Sequence, residues 1–261
     1  MKLNDLYRKI DAYAPKALSD EYCAKYGAYD NSGILLGGDE EIGKVLFSLD
    51  FSSAAIAEAE RIGANAVVTH HPAIYAKIGS VRDDSPAGRN LLRALRGGIS
   101  VISMHLNMDC AAGGIDEYLA RAGGGKEFTI VEPLEKTGTG YGRIYDVEPI
   151  AAKALYKRIV TELGAERASV YLPENTIRRV ASFCGAGGDE NAVLSAAKAG
   201  ADCIVSADFK HHVVLMAIEY GMSVISLTHY ASENYGFQKI YGKLKPDLGA
   251  ESAYFRDERL L

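Results

Sequence analysis

The sequence predicts an α/β protein of two related halves, each a mostly parallel sheet covered by helices. Three observations carry this. Short apolar runs alternate with amphipathic stretches of helical period, the pattern of βαβ units. The chain also reads itself twice. KVLFSLD, SSAAIAEAERIGANAVVTHHP and LLRALRGGISVISMHLNMD are answered in order by RRVASFCGAGG, DENAVLSAAKAGADCIVSADFKHH and LMAIEYGMSVISLTHYASE. Finally, AVVT and CIVS are continuously apolar rather than alternating, as strands buried on both faces are.

The elements follow in order. MKLNDLYRKIDAYAPKAL has a helical pattern with interspersed charges, not the apolar core of a signal segment. KVLFSLD is a strand and feeds a helix in which Ala55, Ile56, Ala59 and Ile62 keep three- and four-residue spacing. Ser52 or Ser53 caps its start and Gly63 its end. The strand AVVT comes next, then a helix closing on Gly98, then the strand SVIS at 100–103. The glycine-rich stretch RAGGGKEFTIVEPLEKTGTGYGRIYDVEP marks a boundary near residue 125, dividing 1–125 from 126–261. It holds a short strand near GRIYDV, and AKALYKRIVTELG reads as a helix. The second pass begins with the RRVASF strand and a helix capped by Asp189, carrying Val193, Leu194, Ala197 and Ala201 and closing at Gly200. CIVS, a helix ending at Gly221, and SVIS at 223–226 complete it. The tail GFQKIYGKLKPDLGAESAYFRDERLL starts helical and ends as a charged extended stretch, and Glu40–Glu41 reads as a solvated turn.

Composition narrows the function. A net charge of −5 with no marked basic patch makes nucleic acid an unlikely partner. No apolar run approaches the roughly 20 residues of a membrane span. Cys23, Cys110, Cys184 and Cys203 form no CxxC pair, which disfavours a zinc ribbon or redox motif and suits a reducing, cytoplasmic setting. Cys110, directly after Asp109, is read as a packed small hydrophobe rather than a ligand.

The six histidines fall in four short stretches, VVTHHP, SMHLNMD, FKHHVV and LTHYASE. His70 and His71 end the strand AVVT; His105 with Asp109, and His229 with Glu233, follow the two SVIS strands. Ligands of open parallel sheets bind beyond the carboxyl ends of strands, so these residues are expected to converge in a cleft between the halves. Imidazole and carboxylate together suit Zn, Fe, Mn or Co. Adjacent histidines at a strand end point apart, so two neighbouring metals, each taking one, suit His70, His71, Asp109, His229 and Glu233 better than a single ion. A centre incompletely filled by protein is what metal-assisted hydrolysis uses. His105, whose repeat counterpart is Thr228, is read either as a further ligand or, preferably, as a residue beside the ligands that touches them or the substrate. His211 and His212 are read either as helix-opening or core residues, or as cleft residues that bind anions or carry protons. GAGGDE at 185–190 is either a plain strand-to-helix turn or a phosphate-presenting one. There is no GxxxxGK[ST], GxGxxG or GxSxG.

At these residues the chain resembles the NIF-three-like dinuclear metal-centre family, whose bacterial members are often labelled GTP cyclohydrolase 1 type 2 homologues. The likeness lies in YDNSGILLG at 29–37, KVLFSLD at 44–50, VVTHHP at 67–72, HLNMD at 105–109, YGRI at 141–144 and THYASE at 228–233. The resemblance implies the same five ligands, His70, His71, Asp109, His229 and Glu233, with Glu233 bridging two divalent ions. It also implies two related α/β halves assembled as a homohexamer, without the middle domain of longer members. VVTHHPAIY and SADFKHH depart from the family's usual pattern. The expectation is therefore a dinuclear metal-dependent hydrolase acting on a small molecule, a nucleotide or phosphoester, with His105, His211 or His212 carrying protons. The alternative is a non-catalytic metal-binding scaffold or adaptor.

Overall fold

A computed structural model describes residues 1–37 and 41–261 of the chain. Two compact units emerge, one of residues 1–111 and 237–257, the other of 112–236 and 258–261.

The first unit opens with α1 (Leu3–Tyr13) and α2 (Lys16–Tyr26), then β1 (Gly33–Leu36), β2 (Lys44–Ser48), α3 (Ser53–Ile62), β3 (Ala66–Thr69), α4 (Pro86–Arg96), β4 (Ser100–Ser103) and the short α5 (Leu106–Cys110). The second contains α6 (Ile115–Ala122), β5 (Thr129–Pro133), β6 (Gly140–Ala151), α7 (Ala152–Leu163), β7 (Ala168–Tyr171), β8 (Thr176–Ser182), α8 (Glu190–Lys198), β9 (Cys203–Ala207), α9 (His211–Glu219) and β10 (Ser223–Leu227). The chain then runs through α10 (His229–Leu244) and β11 (Glu251–Phe255).

The first sheet has the order β1-β4-β3-β2-β11, parallel throughout except for β1, which is antiparallel to β4. The second has the order β5-β6-β8-β9-β10-β7; β8, β9 and β10 form its parallel centre, and antiparallel strands flank them. The sequence repeat is therefore a structural one: β2-α3-β3-α4-β4 and β8-α8-β9-α9-β10 are the same βαβαβ unit. Its strands are apolar on both faces because helices cover them. Leu46, Ile56, Ala59, Val67, Ala94 and Ile99 form the first core, and Val193, Ala196, Ile204, Val213, Ala217 and Val224 part of the second.

Local signals set the helix ends. Ser52, not Ser53, caps α3, its hydroxyl accepting the Ala55 N–H at 3.1 Å. Asp189 caps α8 through the Ala192 N–H at 2.8 Å. Gly63 and Gly200 adopt left-handed φ of 70° and 71°.

The compact units differ from the division expected near residue 125, in two places. The glycine-rich stretch lies inside the second unit, where β5 and β6 pair antiparallel. A Cβ on Gly123 would meet the Tyr145 hydroxyl at 2.0 Å, and one on Gly125 the Tyr145 ring at 2.9 Å. These glycines permit packing against a buried tyrosine, and burial pushes that tyrosine's phenol pKa well up. The tail belongs partly to the first unit. Phe237 and Tyr241 of α10 pack on Phe47, and the extended stretch is β11, in parallel register with β2. Glu41 is exposed and pairs with Lys2, as a solvated residue should; Glu40 lies outside the described residues. Among the described residues no helix is long and apolar enough to cross a membrane.

Candidate metal centre

Sheet register brings the first group of residues together. Ser48, Thr69 and Ser103, the last residues of β2, β3 and β4, are mutual register partners. The residues that follow them, Asp50, His70 with His71, and His105, therefore emerge at one edge. Thr69 and Ser103 bridge their hydroxyls at 2.7 Å beneath that edge. The ring centroid of His70 lies 4.9 Å from that of His71 and 5.1 Å from that of His105. One ligand nitrogen from each of the three falls within 4.8 Å of the others. His105 thus lies beside the pair.

Hydrogen bonds fix how each imidazole is presented. The His70 Nδ1–H donates to the Met104 carbonyl at 3.0 Å, the His71 Nδ1–H to Asp50 Oδ1 at 2.7 Å, and the His105 Nδ1–H to Asp30 Oδ1 at 2.8 Å. In the second unit the His229 Nδ1–H donates to Asp208 Oδ2 at 2.7 Å. Carbonyl and carboxylate oxygens only accept, so the proton is assigned to Nδ1 in all four rings and Nε2 becomes the coordinating nitrogen. An oxygen partner behind each ring is the usual support of a metal-binding histidine. Burial works against the charge on Asp30, yet hydrogen bonds from His105, Ser19 and Ser32 hold its carboxyl far below the ordinary range.

The carboxylates complete the pattern. His70 Nε2 faces Asp109 Oδ1 at 3.6 Å, both side chains being almost fully buried. On the first turn of α10, four-residue spacing sets His229 Nε2 3.2 Å from Glu233 Oε1. An unprotonated ring nitrogen and a carboxylate oxygen repel at such distances unless a cation lies between them. Two ligands about 2.1 Å from one tetrahedral ion stand about 3.4 Å apart, close to both spacings. The donors thus fit a divalent metal.

The glycines of GAGG serve this arrangement. Gly185 sits at φ 58°, and a Cβ there would fall 2.1 Å from Glu233 Oε1. Its N–H donates to Ser232 Oγ at 2.9 Å. The start of α8 is occupied by the Asp189 carboxylate, so the plain-turn reading of this segment prevails. Gly185→Ala should displace Glu233 and weaken divalent-metal binding about 10-fold or more, by analogy with other support positions. Metal titration below the melting temperature checks this; an unchanged affinity would show that the close approach is dispensable.

Two expected site residues sit apart from these groups. His211 and His212 are exposed on the first turn of α9, where His212 Nε2 pairs with Glu190 Oε1 at 2.7 Å. Among the described residues neither joins a metal-ligating cluster. Their helix-opening role is the one seen, because β9 ends at Ala207 and three residues carry the chain on before α9 begins. Cys110 is fully buried.

The supporting carboxylates escaped the sequence reading. Asp50 ends KVLFSLD, Asp30 lies within YDNSGILLG and Asp208 within SADFKHH, and none of them stands out as a partner of a histidine. A signal existed: Asp50 and Asp208 lie just past β2 and β9, the neighbours of strands that lead into histidines. Asp208 also holds a left-handed φ of 56°, rare for a residue with a side chain. Asp50→Asn should lower divalent-metal affinity roughly 10- to 100-fold while leaving the melting temperature of the metal-free protein nearly unchanged. Isothermal titration of both proteins with one metal measures it.

Comparison with known proteins identifies the family and the fold. The sequence model of a family described as Duf34/NIF3 (NGG1p interacting factor 3) matches residues 1–256. A Clostridium perfringens protein named GTP cyclohydrolase 1 type 2 homolog is 28% identical over 96% of this chain and 94% of its own length. A Campylobacter jejuni protein of the same name is 30% identical over 94% of this chain and 92% of its own. In fold, the crystal structure of a Bacillus cereus protein related to NIF3 superposes with a TM-score of 0.86 at 17% identity, covering 99% of this chain and 97% of that one.

Proposed function

Because the chain belongs to the Duf34/NIF3 family, we propose that it is a dinuclear metal-dependent hydrolase of a small molecule, with His70, His71, Asp109, His229 and Glu233 as metal ligands. The observation that supports this most is the pairing of a supported imidazole Nε2 with a buried carboxylate, at 3.6 Å for His70 and Asp109 and 3.2 Å for His229 and Glu233. Both arrangements favour a cation. When bound, divalent ions polarise a substrate oxygen and make water acidic enough to serve as a nucleophile at neutral pH.

The chain's own residues have distinct tasks in this reading. Asp50 and Asp208 hold His71 and His229 in the ligating tautomer, and the Met104 carbonyl does the same for His70. His105, partly exposed and backed by Asp30, is the group best placed to take or return a proton beside the ligands. A nucleotide or phosphoester is the proposed substrate class, in keeping with the relatives' name. A homohexamer is the proposed assembly, and sedimentation at six chain masses tests it.

Elemental analysis with anomalous scattering tests the centre. About two ions of Zn, Fe, Mn or Co per chain are expected for a paired-metal site; fewer than one would sink the dinuclear reading. Hydrolytic screening of nucleotides and phosphoesters with metal-loaded protein tests the chemistry. No turnover above that of Glu233→Ala for any substrate would leave a non-catalytic metal protein.

A further inference from the structure

The segment after His71 carries aromatic surface that the proposed function does not yet use. Tyr75 is 51% exposed and Tyr29 47% exposed, although each could bury well over 100 Å² of ring in a core. Both are nonetheless held in place. Their rings meet edge to face, with centroids 5.5 Å apart and planes at 87°, and the Tyr75 hydroxyl donates to the Tyr29 carbonyl at 3.4 Å. The Asn31 amide donates to the Ile74 carbonyl, fixing the residue before Tyr75. Tyr75 also stands edge-on to His105, centroids 6.3 Å apart at 89°. His105 in turn is 5.1 Å from His70 and 5.8 Å from His71. An ordered but solvent-facing aromatic pair thus adjoins the imidazole cluster, within the first unit.

A lone exposed tyrosine needs no explanation. Two of them, locked together by ring packing and hydrogen bonds next to candidate metal ligands, do. We propose that Tyr75, supported by Tyr29, is a specificity-determining platform that stacks a planar heteroaromatic ring of the nucleobase class while the substrate's reacting group lies at the histidines. Stacking on an aromatic side chain is tolerant of base identity because every base has a π-face. The platform therefore selects for a ring, and other groups must select which one. This inference rests on the proposed hydrolase reading and narrows its substrate class to molecules that carry a nucleobase, with Tyr75 as the residue that selects them.

The test exploits the absence of tryptophan from the chain. Tyr75→Trp introduces one reporter at the platform. In metal-loaded protein, guanosine monophosphate should quench its fluorescence saturably and ribose 5-phosphate should not. Equilibrium dialysis with the same nucleotide should show Tyr75→Ala binding about 10- to 100-fold more weakly, the loss of one stacked base. Tyr75→Phe should keep most of the affinity, and metal content should be equal in all four proteins. Equal nucleotide affinity in the alanine variant, or no quenching in the tryptophan variant, overturns the platform even where two metals are bound. Absence of metal from the wild type overturns the hydrolase reading instead; quenching by the nucleotide but not by ribose 5-phosphate would still sustain the ring contact.

Discussion

His70→Ala protein is expected to lose divalent-metal affinity by more than about 100-fold, beyond what removal of a supporting residue costs. The ring is fully buried, its Nδ1 is committed to the Met104 carbonyl and its Nε2 faces Asp109, so no neighbouring side chain can take over its position. The substitution also opens a cavity, and a stability loss of about 2–4 kcal/mol in the metal-free protein is expected from the range for large-to-alanine changes. Metal titration of folded protein, checked by circular dichroism, separates the two effects. Retained affinity in a folded variant would remove His70 from the ligand set. His70→Gln offers a smaller cavity and should show the same loss of metal with less loss of stability.

The second large effect concerns folding of the second unit. Asp116 and Arg143 form an ion pair at 3.0 Å with both side chains almost wholly buried. Asp116 Oδ1 also accepts the Cys184 N–H at 3.0 Å, and Arg143 donates to the carbonyls of Gly140 and Gly142. Asp116→Ala leaves a guanidinium buried without its counter-charge, which costs about 3–5 kcal/mol. For a chain of this size that corresponds to a fall in melting temperature of roughly 6–20 °C. Replacing both partners, as Asp116→Leu with Arg143→Met, should recover much of the loss, because a well-packed apolar pair removes the uncompensated charge. A double variant no more stable than Asp116→Ala would show that the carboxylate acts mainly through the Cys184 N–H. Cys184 immediately precedes Gly185, so this ion pair also anchors the turn that lies against Glu233.

Periodicity and the internal repeat made the parallel centres of both sheets legible. Continuous apolar strands, glycine ends and serine or aspartate caps are local signals that act over a few residues. The antiparallel strands β1, β5 and β7 were not legible in the same way. They are short and partly exposed; β1 and β7 take their places by pairing with strands distant in sequence, and β5 takes its place beside the adjacent β6. The tail strand β11 is a similar case. Glu251, Ser252, Ala253, Tyr254 and Phe255 look like an irregular charged stretch until β2 supplies the parallel partner.

The residues of the candidate site were legible as chemistry, because imidazole and carboxylate types recur after apolar strands. By itself the sequence determined the βαβαβ repeat, and it named His70, His71, Asp109, His229 and Glu233 as candidate donors of a kind that suits a divalent ion. Tertiary structure alone decided that Asp50, Asp30 and Asp208 stand behind the imidazoles, that His211 and His212 stay on the surface, and that the glycine-rich stretch lies inside the second unit. The reason is physical. Ligand type is a property of one side chain and its neighbours in the chain, whereas a second oxygen placed 2.7 Å behind a ring requires two strands to end in register.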